Sequence, residues 1–288
     1  METEPNRRRT VLYLAGLAAL ALTLVLAMLY PFLPGDYEAL ALAISIQSQM
    51  VGLIGLLLVP IGVLWLVNEL RGKGSGFYFA VVSLVVTTFV AVIIALVGFA
   101  VMGHALGLLT LIAWGCVVLK LVPKVKRLKN PPHRSVNVAP LYMIALPSFA
   151  LLTQLLLATS VTDWSRNRAI RNCTDYINDI ENYKSTYGEY PKALMGAWQD
   201  YYPSVVGVEK YHYVPSGEAY NLYFEQPRFL LDNIGSREFV VYNPRDEQTM
   251  LSHTSWVLKV PPSELYKRQG WYAVHNATTP HWKYFWFD

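Results

Sequence analysis

Five long apolar runs, separated by short polar segments, dominate residues 1–161. A helix that crosses a bilayer core of about 30 Å needs roughly 20 residues at about 1.5 Å each, which these runs supply. The rest of the chain shows one helical stripe and then short alternating stretches, the pattern of a folded polar domain. We therefore predict a multi-pass α-helical membrane protein with a C-terminal α+β domain. Its predicted spans are residues 10–33, 46–68, 77–98, 104–122 and 139–161.

The first span follows Arg7, Arg8 and Arg9, a charge pattern that signal peptides and membrane anchors share. Its apolar stretch is longer than the roughly 7–15 residues of a signal-peptide core. It ends in a Pro-Phe-Leu-Pro-Gly segment at 31–35, which is no small-residue cleavage site. We therefore expect an uncleaved anchor.

Local signals mark the ends and bends of the middle spans. The apolar character of the second span already starts at Ala39, and Asp36 is the expected N-cap of one long helix. Pro60 is expected to kink this helix, because proline cannot donate a backbone hydrogen bond. The apolar run over 77–122 is too long for one span, and glycines around Gly103 favour two helices joined by a tight turn.

Positive charges mark one side of the membrane. All 11 Lys and Arg residues of this half lie in segments 1–9, 69–75 and 120–138, and the loops at 34–46 and 102–106 hold none. Positive residues are retained in the cytoplasm, so the N-terminus is predicted inside and the polar domain outside. The residues expected to set this orientation are Arg7, Arg8, Arg9, Lys124, Lys126, Arg127 and Lys129.

Polar residues within the spans are few and uncharged. No Asp, Glu, Lys or Arg lies near the middle of a predicted span, whereas such residues mark proton and ion pathways in transporters. Gln49 and Gln154 are expected to form hydrogen bonds between helices. This pattern argues against a coupled transporter.

Composition and charge narrow the function classes further. Charged residues make up 15% of the 288 residues and hydrophobic residues 53%, against roughly 25% charged in a soluble domain. Residues 1–161 hold 11 Lys and Arg against 5 Asp and Glu, and residues 162–288 hold 13 against 15. Because the polar domain is slightly acidic, no nucleic-acid partner is expected. The 2 cysteines, Cys116 and Cys173, cannot form a disulfide scaffold, and no Cys/His spacing fits a structural zinc site.

The polar domain, residues 162–288, begins with a helix that continues the fifth span. Residues 162–187 contain no Pro or Gly and carry an apolar stripe at helical spacing. We expect span five to continue as one helical rod of more than 40 residues, which ends where Gly188 supplies the C′ position and Pro191 prevents continuation. An antiparallel sheet is predicted after it. The stripe is Ile170, Cys173, Ile177, Ile180 and Tyr183, and the predicted strands are 211–214, 220–225, 238–242, 255–260, 271–275 and 282–287.

Residues 183–191 read Tyr-Lys-Ser-Thr-Tyr-Gly-Glu-Tyr-Pro, and tyrosine-rich segments follow at 211–213 and 220–223. This order resembles the major pseudopilin of type II secretion and its type IV pilin relatives. The resemblance implies a pilin-like domain in which a long helix leads into a β-meander. Span five begins Ala139-Pro140-Leu141 and lacks the Gly-Phe processing site of pilins, so what the resemblance implies is a fold and not polymerisation.

No motif for catalysis or metal binding stands out in the polar domain. The domain lacks a G-x-S-x-G elbow, a glycine-rich phosphate loop and an H-x-x-x-H pair. His275 and His281 flank a predicted hairpin loop and are expected at the surface. The sequence favours a protein that is not an enzyme, and no catalytic residue, metal or cofactor is predicted.

Aromatic residues are unusually dense in the polar domain, where 25 residues are Tyr, Phe or Trp. Some are expected to fill the core of the sheet, while an exposed group would mark a binding face. The candidate partner-binding aromatics are Trp271, Trp282, Tyr284 and Trp286.

These observations predict a non-catalytic protein of the inner or plasma membrane. Its partners would be the lipid bilayer and an envelope protein or glycan, bound by the pilin-like domain in the periplasm or outside the cell. A role in secretion or envelope assembly would fit this arrangement. The alternative is a transport or channel-type subunit that acts through its helix bundle.

Overall fold

The computed structural model describes residues 4–71, 76–102, 104–129, 137–192, 201–216, 218–232, 237–252, 256–259 and 273–287. The chain divides into two compact units. We call them the helical unit, which comprises Met1–Met28 and Ala43–Leu156, and the sheet unit, which comprises Leu29–Leu42 and Leu157–Asp288.

The described chain contains five helical stretches that are long and apolar enough to cross a membrane, which confirms the predicted number. Two of these stretches are built from two α-helices each. The α-helices are α1 (Glu4–Leu29), α2 (Ala41–Ile54), α3 (Leu58–Leu70), α4 (Phe77–Met102), α5 (His104–Arg127), α6 (Ala139–Asn172) and α7 (Thr174–Tyr187).

The second apolar stretch is an interrupted helix. A 3-10 turn at Gly55–Leu57 joins α2 to α3, and Pro60 is the third residue of α3. Pro60 has no N–H for the carbonyl of Leu56, and its ring crowds that carbonyl, so regular α-helical bonding is interrupted there. The sequence therefore located this interruption, whereas the kink predicted at Pro60 stays a prediction. The N-cap predicted at Asp36 is wrong, because α2 begins at Ala41 and the chain around Asp36 belongs to the sheet unit.

Buried polar side chains link helices of the helical unit. Ser45 Oγ donates to the main-chain oxygen of Met28 at 2.6 Å, and Gln49 Nε2 donates to Ser45 Oγ at 2.9 Å. Gln154 Nε2 donates to the main-chain oxygen of Gln49 at 3.1 Å, which confirms a predicted bond between helices. Gly52 lies beside this contact, where a Cβ atom would come within 3.0 Å of α6.

The long helix that follows the polar loop is present, but it has a break. α6 and α7 meet at Cys173, whose amide bonds to the carbonyl of Ile170, three residues back. This tighter bonding interrupts regular α-helical bonding at one residue. The helical stretch still runs over Ala139–Tyr187, 49 residues, which confirms the predicted length of more than 40 residues. α7 ends as predicted, with Gly188 at φ +80° and its N–H bonded to the carbonyl of Lys184.

An antiparallel sheet forms most of the remaining sheet unit. Five strands have the order β1-β2-β3-β7-β6, and β4 pairs with β5 in a separate hairpin. All six predicted strands are found. β4 was not predicted, because its four residues show no clear alternation. The strands are β1 (His212–Ser216), β2 (Ala219–Gln226), β3 (Arg237–Tyr242), β4 (Thr249–Ser252), β5 (Trp256–Lys259), β6 (Ala273–Asn276) and β7 (Trp282–Phe287).

One face of the five-stranded sheet packs against α6 and α7. The helix stripe contributes Ile170, Cys173 and Ile180, each at most 2% exposed. Leu222 and Trp282 lie in the same cluster from the sheet side. The stripe predicted from helical spacing therefore forms the core of the sheet unit.

The segment between α1 and α2 also belongs to the sheet unit. Pro34 forms an antiparallel bridge with Val205. Phe32 is completely buried, and its ring stacks on Phe229 with a centroid separation of 4.7 Å. The sequence pattern placed Phe32 at the end of the first span and predicted only a loop from residue 34, because contacts between residues so far apart leave no local periodicity.

Candidate functional site

The candidate partner-binding aromatics lie at different depths of the sheet unit. Trp282 is 3% exposed and packs 5.4 Å from the ring of Tyr242, so it belongs to the core. Tyr284 and Trp286 follow on the same face of β7 and are half-buried. Trp271 lies outside the described residues. Of this set, Tyr284 and Trp286 are the rings placed to touch a ligand.

Two arginine side chains stack on these rings. The guanidinium carbon of Arg166 lies 3.8 Å from the ring centroid of Tyr284, and that of Arg228 lies 3.9 Å from Trp286. Arg166 is on α6, and Arg228 follows β2. Both arginine side chains are only 6% exposed, and cation–π contacts of such desolvated groups stabilise by about 2 kcal/mol.

A buried carboxylate joins the two arginines. Glu238, on β3, is 0% exposed; its Oε1 lies 2.7 Å from Arg166 Nε and its Oε2 lies 3.4 Å from Arg228 Nε. Trp286 Nε1 donates to Glu238 Oε2 at 2.9 Å. Because a buried charge without partners is strongly unfavourable, these contacts make the burial of the Glu238 carboxylate possible.

His275 packs against the same rings from β6. Its ring centroid lies 4.9 Å from Tyr284 and 4.4 Å from Trp286. Burial lowers the pKa of His275, with Glu238 opposing this and the two arginines adding to it, so the neutral form predominates at neutral pH. His275 is half-buried, because its position on the strand turns the ring onto the sheet face. We name this group the arginine cluster: Arg166, Arg228, Glu238, His275, Tyr284 and Trp286.

Three buried nitrogen atoms of the arginine cluster have no hydrogen-bond partner among the described residues. They are Nε and Nη1 of Arg228 and Nε2 of His275. Arg228 Nη2 donates to the main-chain and carboxylate oxygens of Asp232, at 3.4 and 3.2 Å, which holds the guanidinium in place. An unsatisfied buried donor costs about 1–3 kcal/mol, and such groups are rare. Fixed side chains with unused nitrogens are suited to binding a ligand.

Sequence reasoning missed the charged residues of this cluster, although two signals pointed to them. Arg166 precedes Ile170 by one helical turn on the apolar stripe, and Glu238 precedes Val240 by two residues on the inward face of β3. A cation and an anion on two facing apolar surfaces are expected to pair. Arg228 lies in a loop, where no periodicity indicates burial.

The chemistry available in the arginine cluster is that of binding. Its groups are two arginines, one ion-paired carboxylate, a neutral imidazole and two aromatic rings. Arginine presents several N–H donors in a planar fork, which recognises carboxylates and phosphates. Among the described residues, no group of three His, Cys, Asp or Glu side chains could hold a metal ion.

The helical unit contains a groove of about 430 Å³, lined by side chains of α1, α2, α4 and α5. Gln47 Nε2 donates to Thr110 Oγ1 within it at 3.2 Å, and Trp114 lies on its wall. The other lining side chains are mostly apolar, which suits a hydrocarbon chain better than an ion. A transport or channel-type role therefore stays a prediction.

The seven residues predicted to set the membrane orientation lie at or next to helix ends. Three occupy the start of α1, three the last turn of α5, and one the turn that follows. Their role in orientation stays a prediction. In chain order they are Arg7, Arg8, Arg9, Lys124, Lys126, Arg127 and Lys129.

Comparisons of the chain with protein-family models, with curated proteins and with solved structures find no match. Function is therefore inferred from the arginine cluster and from the order of the apolar helices along the chain.

Proposed function

We propose that this protein is a non-catalytic, five-span membrane protein that recognises an envelope component through the arginine cluster. The observation that carries this proposal is the pair of side chains Arg228 and His275, each of which has buried nitrogen that makes no hydrogen bond among the described residues: Nε and Nη1 of Arg228 and Nε2 of His275. Tyr284 and Trp286 supply the aromatic contacts beside them. Recognition needs such preorganised groups.

The connectivity of the sheet unit supports a topology with five crossings. Leu29–Leu42 and Leu157–Asp288 belong to one compact unit, so both segments lie on the same side of a membrane. Four apolar helical stretches separate them, and an even number of crossings returns the chain to the side from which it started. The distribution of positive residues then favours a cytoplasmic N-terminus and a periplasmic or extracellular sheet unit.

The packing of the sheet unit is the arrangement that a pilin-like domain would have. α6 and α7 form a long helical element that covers one face of an antiparallel sheet beginning with the meander β1-β2-β3. A fold supports many functions, so this similarity bears on architecture alone. We propose that the sheet unit serves as the recognition module of a secretion or envelope assembly.

Site-specific photocrosslinking in intact cells tests the recognition proposal. A photoreactive aromatic residue replaces Tyr284, whose half-buried ring lies 3.8 Å from the guanidinium carbon of Arg166. The matched control replaces Tyr187, which is 67% exposed at the end of α7. A discrete adduct at position 284 and none at 187 is expected. Equal adducts at both positions, or none at 284, would contradict recognition at the arginine cluster.

Reporter fusions test the proposed orientation. Fusions after Lys73 and after Arg134 should report the cytoplasm, and a fusion at Asp288 should report export. An inverted result at Asp288 would overturn the topology.

A further inference from the structure

We propose that the arginine cluster binds a phosphate group, supplied by an anionic lipid headgroup or by a soluble phosphate compound at the outer surface of the membrane. This inference rests on the proposed function and names the chemical class of its ligand.

The first argument is the set of unused nitrogens. The Arg228 side chain is 6% exposed, and its Nε and Nη1 have no hydrogen-bond partner among the described residues. The 3.4 Å approach of Glu238 to Nε is an ion pair without the geometry of a hydrogen bond. His275 Nε2 is a further buried nitrogen without a partner there. A phosphate carries several oxygens and could bond to more than one of these nitrogens at once.

The second argument concerns the donor groups rather than the net charge. Arg166 and Arg228 are both 6% exposed and share the buried carboxylate of Glu238. Asp163 and Asp232 form ion pairs with the other sides of the arginines, at 2.5 and 3.2 Å. Two cations therefore face three carboxylates, so an anion would be held by the N–H donors that Arg228 has left and not by a surplus of positive charge.

The third argument is the position along α6. Arg166 lies five residues beyond Val161, the last residue of the predicted span. Five helical residues advance about 7.5 Å, and a bilayer has a polar layer of roughly 5–8 Å outside its hydrocarbon core on each side. Arg228 is held beside Arg166 by Glu238. In the proposed topology the arginine cluster therefore lies at the level of lipid phosphates.

The aromatic residues fit the same location. Trp286 contacts the side chains of both Arg228 and His275, with the guanidinium carbon of Arg228 at 3.9 Å and the His275 ring at 4.4 Å from its ring centroid. Tryptophan and tyrosine are enriched where apolar and headgroup layers meet. This position favours a phosphate over a protein carboxylate as the ligand.

The test uses the full-length protein in detergent and native mass spectrometry. The probes are dioctanoyl phosphatidylglycerol, dioctanoylglycerol as its phosphate-free analogue, inorganic phosphate, and acetate as a carboxylate. Phosphatidylglycerol or phosphate should bind, and dioctanoylglycerol and acetate should bind much more weakly. Lipid binding with weak phosphate binding identifies the headgroup as the source, and the reverse identifies a soluble phosphate.

Two conservative variants locate the site. Arg228→Lys keeps the charge beside Glu238 but loses the fork, and it should weaken phosphate or lipid binding roughly tenfold. His275→Phe keeps the ring contacts and should weaken binding several-fold. The matched control, Arg245→Lys, changes an exposed ion pair with Glu218 and should bind like the wild type. Unchanged thiol protection of Cys173, which is 0% exposed, confirms that each variant is folded.

Several results would overturn the inference. These are equal binding of dioctanoylglycerol and phosphatidylglycerol, tighter binding of acetate than of phosphate, and wild-type binding by folded Arg228→Lys. Crosslinking from position 284 separates the two proposals. If the adduct persists in Arg228→Lys while phosphate binding does not depend on Arg228, the recognition function is supported and the phosphate site is ruled out. If phosphate binding depends on Arg228 but no adduct forms, the phosphate site is supported and partner recognition is ruled out.

Discussion

Removal of the Arg166 guanidinium is expected to destabilise the sheet unit strongly. Its side chain is 6% exposed, and its Nε lies 2.7 Å from an oxygen of Glu238, which is 0% exposed. Arg166→Met would leave that carboxylate buried with Arg228 as its remaining cation among the described residues. Breaking one side of a buried ion pair costs about 3–5 kcal/mol. This cost corresponds to a rise of roughly a hundred- to several-thousandfold in the population of opened molecules.

Cys173 can report this opening in the full-length protein. It is 0% exposed and lies in the core of the sheet unit. Cys116, the other cysteine, is exposed and is replaced by alanine in every sample. When opening and closing are fast, the labelling rate of Cys173 by a small thiol reagent follows the opened population. Arg166→Met should therefore raise this rate by two to three orders of magnitude.

A control variant and a double variant test whether the buried ion pair causes this effect. Arg245→Met breaks an ion pair whose side chains are 47% and 82% exposed, so its labelling rate should rise by less than about fivefold. Adding Glu238→Gln to Arg166→Met should slow the labelling again, because it removes the charge that has lost its main partner. Equal rates for Arg166→Met and Arg245→Met would refute the structural role of the buried pair. Strictly additive effects would show that Arg166 and Glu238 are not coupled.

Three further predictions concern single side chains. The pKa of His275 in the folded state is lowered from 6.5, so the stability of the sheet unit falls as the pH drops through that lowered value. His275→Asn should therefore make the melting temperature of the sheet unit less dependent on pH between about pH 7 and 5. An unchanged dependence on pH would contradict this. Phe32→Ala removes a fully buried ring and should cost about 3–5 kcal/mol in the Cys173 labelling assay, whereas wild-type labelling would refute its packing role. Gly52→Ala places a methyl group 3.0 Å from α6 and should lower stability in detergent by about 1–3 kcal/mol. In the control Gly115→Ala, the added methyl group meets no described atom within 4 Å and should have no such effect. Equal melting temperatures of the two variants would contradict the close helix contact.

Features with a local cause could be predicted from the sequence. Pro60 marks the interruption of the second apolar stretch, because its effect acts on a carbonyl four residues away. Gly188 ends α7, because it can adopt a positive φ. The strands were found from alternation and turn residues, both of which are short-range patterns.

Features that depend on distant residues could not be predicted. The break at Cys173 leaves no proline or glycine as a signal. Of the candidate site, Tyr284 and Trp286 were found because aromatic density is visible in the sequence. Arg228 was missed because it lies in a loop, and its burial depends on Glu238 and Trp286, which come from other strands.

The sheet unit is built from a discontinuous chain, and this has a consequence for its biosynthesis. Phe32 leaves the ribosome early but stacks on Phe229, and Pro34 pairs with Val205. In the proposed topology, the segment that contains Phe32 and Pro34 reaches the outer side before the four later spans are inserted. Its binding partners arrive only with the exported C-terminal sequence. The core of the sheet unit therefore closes after the last span is in place, so that a chain stalled during insertion would leave Phe32 uncovered for quality-control proteases.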